Sequence, residues 1–282
     1  LIKVVKKYGK KIMEFEEFKE IYKPEEIVKL AGEIENYDGS IKDFIDKATS
    51  DRNTGTLLRG IVKALMLFTG GNVASVRDPE KFDPEKSKQF DLSRVGRMLD
   101  NYASQSPTKD DYQISNYILK ILAQSKAKKP WNATQELYRG LHSLSANAFL
   151  ALCKPGTVYS LGEIISTSIS AAVATNFVND KPRYQLVYTL DNTKIKKGIY
   201  TAGRTSAYAH EEEVVLGGKI KITGFRMIPT YNGIFPFEYA GPYHDEIKDF
   251  DKLMEYVQLI ENLVEDKKVR VGEVTVYAEV LP

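Results

Sequence analysis

The spacing of apolar residues predicts helices throughout the first half of the chain. Apolar side chains recur every three to four residues, which places them on one face of a helix. Pro24, followed by Glu25 and Glu26, is typical of the first turn of a helix. Three successive apolar stripes follow this spacing: Ile27, Leu30, Ala31 and Ile34; Ile41, Phe44, Ile45 and Ala48; and Leu57, Leu58, Ile61, Ala64, Leu65 and Phe68.

Turn-forming residues separate these helices from the next one. Gly70-Gly71 ends the third stripe, and the polar, proline-containing residues 72–90 predict a loop. Thr108 and Asp111, three residues apart, resemble a capping box that begins a further helix. The apolar face of that helix is Ile114, Tyr117, Ile118, Ile121 and Leu122.

After Pro130 the pattern changes to short runs rich in β-branched and aromatic residues, which predict strands. The predicted strands are 135–138, 161–167, 184–190, 213–216, 219–223 and 273–281. Helices are predicted at 171–177 and 245–265, the second with the buried stripe Ile247, Phe250, Leu253, Met254, Val257, Ile260 and Leu263. Strands that arrive without regular helical alternation predict an α+β fold, with a helical subdomain at 1–130 and a second domain at 131–282.

Composition and charge narrow the classes of function. The chain has 282 residues, enough for one large domain or two, and its formal net charge of +2 argues against nucleic acid as an obligate partner. No apolar run reaches the length of a membrane span. Cys153 is the only cysteine and the histidines lack the spacing of metal ligands, so we expect neither an internal disulfide nor a metal site. The chain begins at Leu1, which indicates a processed product or a fragment of a longer protein.

Three groups of residues with the side chains that catalytic and binding sites use lie at the ends of predicted strands. Arg139 and Gly140 end the first strand, and Ser166-Thr167-Ser168 ends the second, just before the short helix. Glu211 and Glu213 stand at the start of a later strand, where side chains two residues apart point to the same face if the segment is extended. Two carboxylates held side by side require a cationic partner or a change in protonation.

Each group also has a purely structural interpretation. The acidic residues could form a solvated loop before a strand, and Arg139 could be a surface charge. Ser168 or Ser170 could cap the helix that follows, and Phe177 on that helix could belong to the core. The order and strand context of the three groups together favour one shared site over these separate interpretations.

Arg139, the Ser166-Thr167-Ser168 strand end and the turn from Glu211 to Glu213, in this order, resemble the arginine–serine–glutamate class of mono-ADP-ribosyltransferases. That class includes bacterial toxins, phage-encoded modifiers and vertebrate cell-surface enzymes, and the likeness covers roughly residues 135–225. It implies an N-terminal helical layer packed on a mixed β-sandwich, with residues 131–282 as the NAD-binding core. It also implies that NAD, a co-substrate, is cleaved without a metal and that ADP-ribose passes to an arginine of a target protein.

The resemblance implies a role for each residue. Glu213 would face the positive charge that develops on the ribose, Ser166 would hold Glu213, and Arg139 would anchor the diphosphate or the adjacent ribose. Glu211 would orient the acceptor guanidinium and receive its proton. In the family, Glu rather than Gln at this position goes with arginine acceptors. The implied NAD-binding set also contains Gly140, Thr167 and Ser168.

Three further positions follow from the resemblance. Phe177 stands where the family places a ring against nicotinamide, and Tyr208 stands where arginine-modifying members carry an exposed aromatic that meets the target. A cation for the NAD diphosphate is expected in the loop after Phe177. We prefer Arg183 to Lys181 for this role because the planar guanidinium fork suits phosphate geometry.

The resemblance also implies partners and a place of action. The expected partners are NAD and a target protein with an acceptor arginine, with no obligate nucleic acid and no membrane segment in this chain. The enzyme would act in the cytoplasm of a target cell as a secreted toxin fragment or a phage-delivered protein, its delivery signal lying outside this chain. Three alternatives stay open: a non-catalytic effector or adaptor that docks through residues 208–213, an NAD glycohydrolase, and a transferase directed at nucleic acid.

Overall fold

The structure is a computed structural model whose described residues form two compact units. The first unit runs to Leu122, and the second contains the described residues from Ala123 onward. The boundary predicted at residue 130 lies outside the described residues. The structure describes residues 13–37, 39, 43–44, 52–69, 73–84, 107–125, 136–179, 181, 183–200, 211–230, 243, 245–265 and 271–282.

Helices make up the described part of the first unit, and the last of them continues to Gln124. Their bounds are Phe15–Ile21 (α1), Pro24–Asn36 (α2), Arg52–Thr69 (α3), Val73–Arg77 (α4) and Lys109–Gln124 (α5), with a 3-10 turn at Pro79–Lys81. Every residue of the first and third predicted apolar stripes is buried, so these two predicted helices are confirmed. Most of the second stripe and Gly70-Gly71 lie outside the described residues.

Two helix starts carry the hydrogen bonds that the sequence pattern indicates. At α2, the backbone amide of Lys23 donates to Glu26 Oε2 at 2.9 Å. At α5, the amide of Thr108 donates to Asp111 Oδ2 at 2.8 Å, and the amide of Asp111 donates to Thr108 Oγ1 at 3.3 Å. The capping box predicted for Thr108 and Asp111 is therefore confirmed, and it satisfies amides that a helix start otherwise leaves without partners.

The segment predicted as a loop at 72–90 contains α4 and the 3-10 turn instead. Val76 on α4 is fully buried, and Asn116 of α5 donates from Nδ2 to the carbonyl of Val76 at 2.8 Å and to that of Arg77 at 3.1 Å. These bonds come from a residue about forty positions away. The polar composition of the segment does not predict these hydrogen bonds. Tertiary contacts thus stabilise helical structure where local composition predicts a loop.

Strands dominate the second unit. Their bounds are Leu137–Leu141 (β1), Val158–Ser168 (β2), Leu186–Asp191 (β3), Ile199–Tyr200 (β4), Glu213–Pro229 (β5) and Gly272–Val280 (β6). They form one sheet in the order β2-β1-β3-β6-β5-β4, and β2 pairs with β5 as well. Because β3 and β6 are parallel and the other pairs antiparallel, the sheet is mixed and the fold is α+β, as predicted.

The additional pairing closes β1, β2, β5, β6 and β3 into a circuit around a buried apolar core. Leu137, Leu190, Val214, Ile220 and Val276 are among the strand residues of this core. The helices Ala146–Cys153 (α6) and Phe250–Leu263 (α8) also contribute to it. The third helix of the second unit is Ala171–Val178 (α7). Such a core fixes the strand ends, where the candidate site lies.

The circuit is weakest between β1 and β2. β1 pairs with β3 at all five of its residues, whereas its pairing with β2 joins one pair of described residues, Tyr138 and Ser168. The two strands therefore diverge from this point. Where two strands diverge, their backbone and side-chain groups do not bond to each other in a continuous ladder. These groups can therefore form hydrogen bonds with other parts of the protein or with a ligand.

Residues 213–223, predicted as two strands, belong to the single strand β5. The predicted break at Gly217 and Gly218 is a bend instead. β2 and β5 shift register around Gly162, and both Gly162 and Gly218 have positive φ, 94° and 110°. A β-bulge built on glycines bends a strand without ending it.

The C-terminal helix is shorter than predicted. α8 begins after Asp249, whose side chain accepts from the amide of Lys252 at 2.9 Å, and Ile247 pairs with Met227 before the helix starts. Met254 and Leu263, predicted to be buried, are 39% and 41% exposed.

Helix α6 was not predicted at all, although Ser145 caps it by accepting from the amide of Ala148 at 3.2 Å. In the part of the chain that the structure describes, none of the helices combines the length and the apolarity needed to span a bilayer.

We expect Gly217→Ala to lower the free energy of unfolding by about 1–3 kcal/mol in urea denaturation. A Cβ at Gly217 would lie far inside van der Waals contact with the backbone carbonyl oxygen of Glu163, and a backbone atom of β2 cannot move without disturbing the ladder. Gly224→Ala on the same strand is the matched control, because a Cβ there meets no described atom within 4 Å. Equal stability of the two variants would contradict this account of the bend.

Candidate functional site

The ends of β1, β2 and β5 bring the three predicted groups of residues together. Ser168, the last residue of β2, pairs with Glu213, the first residue of β5. On the other side Ser168 pairs with Tyr138 of β1, the neighbour of Arg139. A residue far from both in sequence, Ser168, thus connects the arginine strand to the glutamate strand.

The side chain of Arg139 reaches across to β2. Its Nη1 donates a hydrogen bond to the backbone carbonyl oxygen of Ser166. Arg139 is half-buried and pairs with Tyr188 of β3 in the ladder. The guanidinium therefore lies at the point where β1 and β2 diverge, held there by the strand that carries the serines.

Tyr188, opposite Arg139 in the sheet, has a pKa that depends on burial and on the charge of Arg139. The ring is fully buried, and its hydroxyl has no hydrogen-bond partner within the described part of the chain. Burial raises the pKa of Tyr188 above its ordinary value, and the positive charge of Arg139 opposes part of that rise. Arg139 and Tyr188 are directly opposite each other on β1 and β3, so their side chains project from the same face of the sheet.

Glu213 is a buried carboxylate, with 4% of its surface exposed. In an antiparallel pair, directly opposite residues project from the same face, with their Cβ atoms about 4.5–5.5 Å apart. The register therefore puts Glu213 directly beside Ser168, and diagonally beside Ser166, whose own opposite residue is Val215. The predicted contact of Ser166 with Glu213 stays a prediction, since Ser168 is the nearer serine along the sheet.

Backbone and side-chain groups of β2 hold the turn that precedes Glu213. Ser168 Oγ donates to the carbonyl of Glu211 at 2.7 Å, and the amide of Ile169 donates to the carbonyl of Glu212 at 3.1 Å. Thr167 Oγ1 donates to the carbonyl of Val214 at 2.8 Å. Three consecutive residues at the end of β2 and just after it thus hold the backbone at the start of β5 and in the turn before it.

The capping interpretation of the serines does not describe the structure. Ser170 occupies the N-cap position of α7, but its side chain makes no capping hydrogen bond. Ser168 Oγ accepts from the amide of Ser170 at 2.9 Å while it donates to the turn before β5. Ser168 therefore links two segments rather than capping a helix.

Glu211 and Glu213 occupy different environments. β5 starts at Glu213, and Glu212 has a φ of 46°, the left-handed conformation that is uncommon for residues other than glycine. The two-residue alternation expected for an extended segment therefore does not apply to Glu211. Glu211 is partly exposed and Glu213 is buried, so a large substrate can reach the first more readily than the second.

Helix α7 lies against β1 and presents Phe177 outward. A Cβ on Gly140 would come within 2.5 Å of the carbonyl oxygen of Ala174 and 2.6 Å of Val178 Cγ1, so only glycine allows this approach. Phe177 is 58% exposed, which excludes the core interpretation of this residue. Its ring lies beside that of His142, a residue that the sequence pattern did not single out because it has no regular spacing to other polar residues.

Arg183 is buried and already bonded. Its Nη2 donates to the carbonyl of Val264 at 2.7 Å, and its Nη1 lies 3.4 Å from Glu261 Oε1. This environment argues against a phosphate-binding role, because the guanidinium is buried and its donors already bond to Val264 and Glu261. Lys181, the other candidate, is exposed.

Two remaining predictions concern other parts of the chain. Tyr208, together with the whole segment 201–210, lies outside the described residues. Among the described histidines, cysteines and acidic residues, no group of three or more is arranged to hold a metal ion.

The sequence matches no family model and no curated protein. In three dimensions the chain is similar to the ATR domain of SpvB from Salmonella, with a TM-score of 0.39 and 14% identity over 78% of this chain and 98% of that one. It is similar to the catalytic domain of VahC from Aeromonas hydrophila, with a TM-score of 0.39 and 16% identity over 79% and 98%.

A third similar structure is Vis toxin, an ADP-ribosyltransferase from Vibrio splendidus, with a TM-score of 0.39 and 15% identity over 94% of this chain and 91% of that one. At these identities and TM-scores the likeness assigns neither a family nor an activity. The case for a function therefore rests on the residues of this chain.

We expect Ser168→Ala to lower the free energy of unfolding by about 0.5–1.5 kcal/mol, because it removes the hydrogen bond to the Glu211 carbonyl. Ser160→Ala on the same strand is the control. Ser160 is exposed, and its Oγ accepts one long bond, 3.4 Å, from the amide of Gly162, so its loss should stay within about 0.5 kcal/mol. Thermal or urea unfolding measures both, and similar losses would contradict the linking role of Ser168.

Proposed function

We propose that this chain is a mono-ADP-ribosyltransferase that cleaves NAD, releases nicotinamide and transfers ADP-ribose to an arginine of a target protein. The observation that supports the proposal most is the junction of β1, β2 and β5. There a half-buried guanidinium, two serines on one face and a buried carboxylate lie within neighbouring backbone positions. Burying a carboxylate costs free energy. An enzyme whose transition state carries positive charge can use a buried carboxylate to stabilise that charge, which increases the rate.

The bond that breaks joins ribose C1 to the nicotinamide nitrogen, and its electron pair leaves with nicotinamide. The ribose carbon gains positive charge as this happens, as in the hydrolysis of glycosides. Glu213 faces that charge. Because Glu213 is buried, its attraction for the ribose cation is screened less than it would be in water.

Arg139 binds the diphosphate or the adjacent ribose of NAD. A guanidinium has five N–H donors in a planar fork, and the bond to the Ser166 carbonyl fixes the position of that fork against β2. Ser166, on the face of Glu213, holds the carboxylate in its rotamer. Thr167 and Ser168 hold the backbone that presents the two glutamates.

The helix side of the site binds nicotinamide. Phe177 stacks on its ring, and Gly140 allows α7 to approach β1 closely enough to put Phe177 there. The attraction of a cationic ring to an aromatic face favours this arrangement before the bond breaks. Lys181, exposed after α7, binds the diphosphate in place of the buried Arg183.

The acceptor arginine is protonated at neutral pH and is not nucleophilic in that state. Glu211 orients its guanidinium and takes the proton as a guanidinium nitrogen bonds to ribose C1. The partial exposure of Glu211 supports this assignment, since the acceptor belongs to a whole protein. Tyr208 stacks on the incoming guanidinium, and the reaction takes place in the cytoplasm of a target cell.

Nicotinamide release from NAD tests the proposal, together with transfer of labelled ADP-ribose to agmatine, a small molecule with a guanidine group. NAD should also raise the melting temperature, because a ligand at one hundred times its Kd stabilises the folded state by about 2.7 kcal/mol. A protein docking module would neither release nicotinamide nor gain stability from NAD. That result would overturn the enzyme proposal.

We expect the two glutamates to affect different steps. Glu213→Gln keeps the size of the side chain but removes the charge that faces the ribose, so nicotinamide release and transfer should both fall by about 10²–10³. Glu211→Gln leaves that charge in place, so transfer to agmatine should fall by about 10²–10⁴ while hydrolysis of NAD by water continues. Both activities can be followed in the same reaction. Equal losses of both activities in both variants would contradict this division of roles.

We expect Arg183→Ala to lower the stability of the protein and Lys181→Ala to lower its affinity for NAD. Arg183→Ala removes a buried partner of Glu261 and of the Val264 carbonyl, so it should cost about 1.5–3 kcal/mol of stability. Lys181→Ala should leave the melting temperature unchanged and raise KM for NAD several-fold. Melting curves and steady-state kinetics distinguish the two effects. A raised KM with unchanged stability for Arg183→Ala would restore Arg183 as the phosphate ligand.

A further inference from the structure

The ring of His142 lies beside the exposed ring of Phe177, just after the end of β1. The ring centroids are 5.3 Å apart, and the ring planes are inclined by 42°. The two residues come from different elements, since Phe177 lies on α7. His142 is partly exposed, so this pair forms an aromatic surface that solvent reaches.

The buried side of α7 explains why this surface exists. Ala174 and Val178 are 4% and 3% exposed and pack toward Gly140 of β1, whereas Phe177 is 58% exposed. The helix thus buries Ala174 and Val178 and leaves its one aromatic ring exposed. Among the described residues, the ring of His142 is the one aromatic neighbour of Phe177.

One nitrogen of the His142 imidazole contacts the hydroxyl of the next residue. Its Nδ1 lies 2.9 Å from Ser143 Oγ, and Ser143 has a φ of 57°, which is uncommon for a serine. The next amide, that of Leu144, donates to the carbonyl of Tyr184 at 3.1 Å, so the turn is tied to the segment before β3. Because Nδ1 is engaged with Ser143, Nε2 is the nitrogen that a ligand can meet.

We propose that His142 is a further NAD-binding residue, whose Nε2 bonds to the carboxamide of nicotinamide while Phe177 stacks on the ring; this rests on the proposed function. A carboxamide has one acceptor oxygen and two donor hydrogens, so it can pair with either tautomer of a neutral imidazole. The pair of side chains then recognises both features of the nicotinamide group of NAD⁺, its flat cationic ring and its amide.

The substitution His142→Phe separates this role from simple ring packing. Phenylalanine keeps a ring beside Phe177 but has no nitrogen for the carboxamide. We expect the melting temperature without NAD to stay unchanged and KM for NAD to rise about tenfold. The kcat of hydrolysis should change much less, because the contact is present in both the ground state and the transition state. His142→Gln, which retains a donor and an acceptor, should recover part of the affinity.

Inhibition by each half of NAD separately shows which half contacts His142. Nicotinamide and ADP-ribose are used separately as inhibitors of hydrolysis. His142→Phe should weaken inhibition by nicotinamide about tenfold and leave inhibition by ADP-ribose unchanged. Tyr277→Phe is the control, because it also removes one polar atom from a ring that is 38% exposed, and Tyr277 lies on β6. This control should match the wild-type protein in every measurement.

The outcomes separate this inference from the function on which it depends. A wild-type protein that neither binds nor cleaves NAD would overturn both. An active wild-type protein whose His142→Phe variant keeps the same KM would overturn the inference alone. Weaker inhibition by ADP-ribose, with unchanged inhibition by nicotinamide, would also overturn it.

Discussion

The register between the end of β2 and the start of β5 is the constraint on which the candidate site depends. Side chains alternate between the faces of a sheet, so pairing Ser168 with Glu213 puts Ser166 on that same face. A slip of one residue would turn Glu213 to the opposite face. The side chains of Thr167 and Ser168 add two bonds to the backbone of β5 or its preceding turn, and these bonds reinforce the register where the ladder ends.

A bend in the middle of β2 and β5 allows β5 to pair with three other strands. β5 pairs with β2, β4 and β6, and a flat strand of its length could not follow all three partners. Gly162 and Gly218 supply the positive φ values, and Gly217 allows the carbonyl of Glu163 to approach. These glycines of β2 and β5 thus lie away from the ends of the two strands that meet at the site, where fixed geometry is required.

On the other side of β1, a single glycine controls the position of the aromatic surface. Gly140 lets α7 approach within a distance that any side chain would prevent, and α7 then leaves Phe177 outside beside His142. Folding alone would favour burial of a ring of this size. The arrangement has a physical reason if a planar ligand covers the ring, and the nearby guanidinium of Arg139 suits the charged part of such a ligand.

The sequence by itself determined what depends on neighbouring residues: the buried faces of α2 and α3, the capping box at Thr108, the start of β5 at Glu213, and the order of the arginine, serine and glutamate groups. It did not determine the burial of Arg183, the exposure of Phe177 or the left-handed Glu212. Helix stripes and caps arise from periodicity and hydrogen bonds within a few residues. Burial, register and bends depend on contacts between residues far apart in the chain, so only the tertiary structure decided them.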